Sequence, residues 1–96
     1  MTMILGTYLK QPADRLDVDI DFSDWLEGRD GDTILSAIST VDDAGLNIDL
    51  PTVTSPIVKQ WFDSGVDGST YKISITATTA QGRIKQVECK VRVKEG

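Results

Sequence analysis

The C-terminal third of the chain alternates apolar and polar residues on both sides of one short turn. Before the turn the apolar positions are Tyr71, Ile73, Ile75 and Ala77. After Gln81 and Gly82 they are Val87, Cys89, Val91 and Val93. Because successive side chains of a strand point to opposite faces, this pattern predicts a β-hairpin with one apolar face. A lone hairpin cannot bury that face, so we expect a second sheet to cover it, as in a small β-sandwich.

Turn signals divide the rest of the chain into further strands, at intervals of about ten residues. The strands are predicted over residues 16–22, 33–41, 46–50, 57–62, 69–79 and 83–94. Between the first two, Ser23 is predicted to cap one helical turn over Ser23–Leu26. For a chain of 96 residues, the pattern predicts an all-β fold. We expect a single domain over residues 13–96, an immunoglobulin-like β-sandwich of about seven antiparallel strands.

Residues 1–12 are predicted to form an N-terminal arm, because Pro12 cannot donate to a sheet and separates these residues from the first clear strand. The arm carries four apolar side chains that are candidate partner contacts: Ile4, Leu5, Tyr8 and Leu9. Two placements are open. The arm is either the first strand of the fold or a strand that pairs with the sheet edge of a neighbouring molecule.

The chain contains no His and a single Cys. The most common general base and the most common transition-metal ligand are therefore missing. Cys89 lies between Val87 and Val91 on the apolar face of its strand, which predicts a buried structural thiol. We expect a protein that is not an enzyme and that holds no cofactor.

The polar face of the first predicted strand carries Asp17, Asp19 and Asp21. Three carboxylates could contribute to a calcium site, which takes about six to eight oxygen ligands. However, the spacing is not that of an EF-hand loop, and alternating Asp residues also deter edge-to-edge aggregation of strands. We therefore expect no metal site and regard the three aspartates as candidate partner contacts.

Charge is distributed unevenly along the chain, whose net charge is −5. Residues 14–50 contain ten Asp and one Glu against two Arg, whereas residues 51–96 contain seven basic and four acidic residues. This balance disfavours nucleic acid, since binding phosphates needs a concentrated basic surface. It suits a basic protein surface or a head-to-tail contact with a second copy, so we expect a homo-oligomer.

No apolar run approaches the roughly 20 residues that span a bilayer, so no membrane contact is expected. The opening residues lack the pattern of a signal peptide, and the single Cys allows no internal disulfide, which together favour synthesis in a reducing cytoplasm.

The two tryptophans are either core side chains or surface aromatics that stack on a sugar ring. Trp25 is a further candidate partner contact. For Trp61 the pattern is ambiguous, because Trp61 alternates with Lys59 and Phe62 alternates with Gln60, so either aromatic could face inward.

Five short motifs follow one another along nearly the whole chain. They are Tyr-Leu-Lys-x-Pro at 8–12, Ser-Asp-Trp-Leu at 23–26, Asp-Thr-Ile at 32–34, Gly-x-x-Gly-x-x-Tyr at 65–71 and Thr-Thr-x-x-Gly-Arg at 78–83. In this order they resemble the small phage proteins described as fiber-tail adaptor proteins.

The resemblance implies a virion structural protein at the tail, the tail fibers or the head-tail region. Such a protein acts as an adaptor through contacts with other virion proteins and catalyses no reaction. It implies a virion component that is made in the host cytoplasm. The alternative function is an immunoglobulin-like module that decorates a particle and binds carbohydrate or a cell surface.

Overall fold

The computed structural model describes residues 3–28 and 30–95, and the side chains of residues 3–5 lie outside the description. Within this part of the chain, eight strands and one helical turn follow in order. They are β1 Met3–Lys10, β2 Arg15–Asp21, α1 Ser23–Leu26, β3 Ile34–Val41, β4 Leu46–Ile48, β5 Thr52–Thr54, β6 Ile57–Ser64, β7 Thr70–Thr79 and β8 Ile84–Val93.

The strands form two sheets that pack against each other. The first sheet has the order β1-β8-β7-β3, and the second has the order β2-β6-β4, with β5 also paired to β6. The predicted all-β sandwich is thereby confirmed. Over the described residues it differs from the expected seven or so antiparallel strands in two details, since it contains eight strands and since β1 pairs with β8 in parallel. Its likeness to immunoglobulin domains stays a prediction.

The core lies between the two sheets and follows the alternation of the strands. Both apolar series of the C-terminal hairpin are buried, and the second sheet covers them with Val18, Ile20, Val58 and Phe62. Leu16 is the exception to the predicted apolar face of β2. It remains more than a third exposed because it lies near the start of a strand at the edge of the sheet.

The predicted arm contains a strand that is hydrogen-bonded within the chain. Its parallel register with β8 runs from Met3 opposite Val87 to Lys10 opposite Val93, with an irregularity between Ile4 and Thr7. Of the two placements left open by the sequence, the structure contains the first, in which these residues form an edge strand of the fold. The domain boundary at Pro12 stays a prediction.

Two local details differ from the sequence-based expectation. Ser23 does not cap the helical turn, because Phe22 occupies the N-cap position and no side chain caps it. Instead the backbone N–H of Ser23 donates to Oδ1 of Asp21 at 2.8 Å, which satisfies one free amide of the turn. Strand β5 was not predicted, because it is only three residues long and lies between Pro51 and Pro56.

Candidate protein interface

Lys10, from the first motif, ties the two sheets together at one end of the sandwich. Its Nζ donates to three carbonyl oxygens, those of Gln11 at 2.6 Å, Pro12 at 3.2 Å and Ser64 at 2.5 Å. Since Lys10 ends β1 and Ser64 ends β6, the hydrogen bond to Ser64 links the first sheet to the second. Burial lowers the pKa of Lys10, and nearby carboxylates oppose that effect. The motif lysine is thus a structural link and not a free surface charge.

At the other end of the sandwich, the third motif meets the fifth. Oδ1 of Asp32 accepts hydrogen bonds from the backbone N–H groups of Thr33 and Gln81, at 3.0 and 3.1 Å. Oδ2 of Asp32 accepts a hydrogen bond from Nη1 of Arg83 at 2.8 Å. Burial alone would raise the pKa of Asp32, but hydrogen bonds from Thr79, Arg83 and the two amides outweigh it, so the pKa lies below its ordinary value. This cluster joins the start of β3 to the turn between β7 and β8.

The fourth motif builds the corner between β6 and β7. The hydroxyl oxygen of Tyr71 accepts a hydrogen bond from the backbone N–H of Val66 at 2.9 Å. Gly65 has a φ of +99°, and a Cβ at this position would lie 2.6 Å from Cγ2 of Val93. Gly68 has a φ of +86°, and its N–H donates to the carbonyl oxygen of Val93 at 2.8 Å. Residues of four of the five motifs therefore hold separate strands of the sandwich together.

The outer face of the second sheet is rich in carboxylates. We call it the acidic face and define it by Arg15, Asp17, Asp19, Asp21, Asp49, Lys59, Trp61 and Asp63. Nζ of Lys59 lies 2.7 Å from Oδ2 of Asp17 and 3.1 Å from Oδ1 of Asp19. Arg15 lies 2.5 Å from Oδ2 of Asp49 and 2.6 Å from Oδ2 of Asp63. Each cation is shared by two carboxylates, so each cluster keeps a surplus of negative charge.

Trp61 lies at the centre of the acidic face, between these two clusters. The guanidinium carbon of Arg15 is 5.0 Å from the centroid of the indole, and Nζ of Lys59 is 6.0 Å from it. Trp61 is half-buried, whereas its neighbour Phe62 is only 1% exposed. The structure therefore resolves the ambiguity of β6: Phe62 belongs to the core and Trp61 to the surface.

The outer face of the first sheet has the opposite charge. We call it the basic face and define it by Leu9, Ile38, Lys72, Ile84, Glu88, Lys90 and Arg92. Nζ of Lys72 forms an ion pair with Oε2 of Glu88 at 3.1 Å. Lys90 and Arg92 form no ion pair within residues 3–28 and 30–95. Leu9 lies opposite Arg92 across the β1–β8 ladder and is 70% exposed.

A comparison with known protein families matches residues 10–92 to the family described as podophage GP4 fiber-tail adaptor protein gp77. The chain belongs to this family. The match begins at Lys10 and ends at Arg92, so it covers the sandwich from the end of β1 almost to the end of β8. A comparison with curated proteins found no match.

Membership of the Gp77 family confirms the resemblance that the five motifs indicated. A family of phage fiber-tail adaptors implies a structural component of the virion that binds other phage tail proteins. Residues of these motifs have structural roles in the sandwich. Lys10, Asp32, Gly65, Tyr71 and Arg83 belong to these motifs and take part in contacts between separate strands of the sandwich.

The sequence-predicted contact residues do not come together at one place. Asp17 and Asp19 share Lys59 on the acidic face, and Asp21 lies at the end of the same strand. The hydrogen bonds that Asp21 accepts from Ser23 lower the pKa of its carboxyl group. Leu9 lies on the basic face, on the other side of the molecule.

The remaining candidates lie elsewhere in the fold. Tyr8 is half-buried and packs against the core. Trp25 is also half-buried and meets Phe22 edge to face, with ring centroids 6.2 Å apart. Ile4 and Leu5 belong to β1, but their side chains lie outside the described residues.

Sequence reasoning named some residues of both faces, such as Asp19 and Leu9, and left several of their neighbours unassigned. Trp61 was noted but could not be placed, and the pairing of Arg15 with Asp49 and Asp63 joins positions far apart in the chain. The alternation of Lys90 and Arg92 on the polar face of β8 indicated a basic surface. Only the arrangement of the two sheets shows that this surface lies opposite the acidic face.

Cys89 has no exposed surface, as expected for a structural thiol, and burial raises its pKa to about 11. Among the residues that the structure describes, no group of three or more acidic or Cys side chains is arranged to hold a metal ion. None of the described helices is long and apolar enough to cross a membrane.

Proposed function

We propose that this protein is a non-enzymatic adaptor that joins a fiber to the tail of a podophage particle, in several copies around the tail. Its contribution is a set of contacts and no reaction. The observation that carries the proposal is the structural role of residues from the five sequence motifs. These residues join separate strands at both ends of the sandwich and leave its two outer faces exposed.

An adaptor must hold two partners at a fixed distance and angle. At one end of the sandwich, Lys10 links the first sheet to the second through Ser64, which limits movement of one sheet against the other. At the opposite end, the ion pair of Asp32 with Arg83 joins β3 to the β7–β8 turn within the first sheet. The acidic and basic faces lie on opposite sides of the molecule. Two neighbouring molecules, further copies of this chain included, can therefore bind one copy without competing for the same surface.

The acidic face has the composition of a binding surface. Trp and Arg are the residues most enriched among those that dominate the energy of protein interfaces. Here Trp61 lies beside Arg15 and is surrounded by carboxylates, which suits a partner with a basic surface. We propose Asp17, Asp19 and Trp61 as contacts on this face and Leu9 as a contact on the opposite one.

The experiment that tests the adaptor function uses particles produced without this protein. Electron microscopy of such particles should show tails that lack fibers, and addition of the purified protein should restore fiber attachment. Trp61→Ala, tested as a folded protein, should restore attachment poorly, and Leu50→Ala serves as the matched control because Leu50 is an exposed apolar residue in a loop outside both faces. Normal fibers on particles that lack the protein would overturn the proposal.

A further inference from the structure

We propose that the acidic face of one copy docks onto the basic face of a second copy, so that the protein associates with itself head to tail. The inference deepens the proposed function and rests on it only for the expectation of several copies in the particle. The proposed partner is a second molecule of this chain, recognised by complementary charge.

The acidic face has negative charge that its own cations do not neutralise. Lys59 is shared between Asp17 and Asp19, and Arg15 is shared between Asp49 and Asp63. In each cluster two carboxylates surround one cation, so a further cation can approach and form new ion pairs. The side chains of these clusters are partly exposed, between 25% and 53%.

The basic face has the cations that the acidic face lacks. Lys90 and Arg92 lie on the same side of β8, and neither forms an ion pair within the described part of the chain. Lys72 lies opposite Lys90 in the β7–β8 ladder. Glu88 is the acidic residue of the basic face, and it pairs with Lys72. One face thus carries two unpaired cations, and the other carries two clusters with surplus carboxylates.

Apolar contacts would accompany these ion pairs. Leu9 lies beside Arg92 on the basic face, and Trp61 lies between the two clusters of the acidic face. An apolar residue surrounded by charges is the usual arrangement of a small interface, in which the charges orient the partners and the apolar contact adds affinity.

A second copy of this chain fits as the partner because one chain carries both complementary surfaces. The acidic face and the basic face belong to the same chain and lie on opposite sides of one sandwich. A contact between two different surfaces of identical molecules is heterologous, so it repeats from copy to copy and either closes into a ring or continues as a stack.

Sedimentation velocity of the purified full-length protein tests the inference, at several protein concentrations and at low and high salt. We expect self-association that weakens as salt increases, because exposed charges are screened. Lys90→Glu and Asp19→Lys should each weaken the association by at least about tenfold, since each places like charges opposite each other. Asp24→Lys is the control for the second variant, because it makes the same change of charge on α1, outside both faces.

A mixture of the two variants gives the decisive result. In the mixture, the unaltered acidic face of Lys90→Glu can dock onto the unaltered basic face of Asp19→Lys. The two altered faces also carry opposite charges at the substituted positions. An equimolar mixture should associate more strongly than either variant alone. Melting curves of both variants should stay within a few degrees of the unaltered protein, as is usual for surface positions.

Three results would overturn the inference: a monomer at all concentrations in low salt, association that is indifferent to both substitutions, or a mixture that associates no better than its parts. Failure of the proposed contact between copies can be distinguished from failure of the proposed adaptor function. A protein that restores fibers to particles while remaining monomeric in solution would reject the contact between copies and keep the adaptor function.

Discussion

Asp32 and Arg83 are 51 residues apart in the sequence and form an ion pair in which Nη1 of Arg83 lies 2.8 Å from Oδ2 of Asp32. The side chain of Asp32 has no exposed surface, whereas that of Arg83 is 41% exposed. Because a buried carboxylate is costly unless it is paired and hydrogen-bonded, the surrounding donors keep Asp32 charged. The pair connects the third of the five sequence motifs with the fifth.

We predict that Asp32 makes the fold sensitive to acid. Its folded pKa lies below the unfolded value, so the charged carboxylate stabilises the fold above about pH 4, and this contribution is lost as the pH falls through the folded pKa. Asp32→Asn should lower the melting temperature near neutral pH, and the difference from the unaltered protein should shrink in acid. Asp24→Asn, on the exposed helical turn, is the control. A difference that is constant from neutral pH to about pH 2 would contradict the prediction.

The glycines of the fourth motif should tolerate substitution unequally. Gly65→Ala and Gly68→Ala both place a side chain at positive φ, at a cost of about 1–2 kcal/mol. At position 65 the new Cβ would also lie 2.6 Å from Cγ2 of Val93, which adds about 1–3 kcal/mol of overpacking, whereas at position 68 it meets no atom within 4 Å. Urea unfolding should therefore rank Gly65→Ala as the less stable variant, and equal stability would show that Val93 moves aside freely.

The sequence could predict the hairpin because its apolar residues occupy every second position on both strands, a pattern that only one arrangement buries. It could not orient β6, since Trp61 and Phe62 offer two equivalent alternations. Nor could it show that Gln60 is buried, because its side chain is satisfied by Ser39 and by the carbonyl oxygens of Asp49 and Trp61, two of which lie on other segments. The two charged faces arise from strand order, which brings together residues that are distant in the chain.

Cys89 should make the fold sensitive to alkali. Its thiol has a folded pKa of about 11 against an ordinary value of 9.0. The stability that it contributes is present below pH 9.0 and is lost as the pH rises through the folded pKa, because the unfolded chain ionises first. Comparing the pH dependence of urea unfolding for the unaltered protein and Cys89→Ala isolates this effect, since both share the other titrating groups. Parallel curves between pH 9 and about 11 would contradict it.

Lys10 should contribute to stability through its charge. Lys10→Met keeps the length of the side chain but leaves the carbonyl oxygens of Gln11, Pro12 and Ser64 without this donor. We expect a loss of about 1.5–3 kcal/mol in the free energy of unfolding, the range for hydrogen bonds to charged groups. Lys94→Met is the matched control, because Lys94 is exposed and lies just beyond β8. Similar stabilities of the two variants would show that Lys10 does not link the sheets.

The neighbours Phe62 and Trp61 should separate stability from binding. Phe62→Ala removes a buried ring and should cost about 3–5 kcal/mol in the free energy of unfolding. Trp61→Ala removes a half-buried ring on the acidic face and should cost about 1 kcal/mol or less, mainly through lost contacts with Arg15 and Lys59. In a sedimentation assay of self-association, Trp61→Ala should weaken association more than Phe62→Ala does, provided that both variants are folded. An aromatic residue at the centre of an interface commonly contributes about 2 kcal/mol or more to binding. If Trp61→Ala unfolds as readily as Phe62→Ala, or associates as strongly as the unaltered protein, Trp61 is a core residue and the acidic face loses its proposed centre.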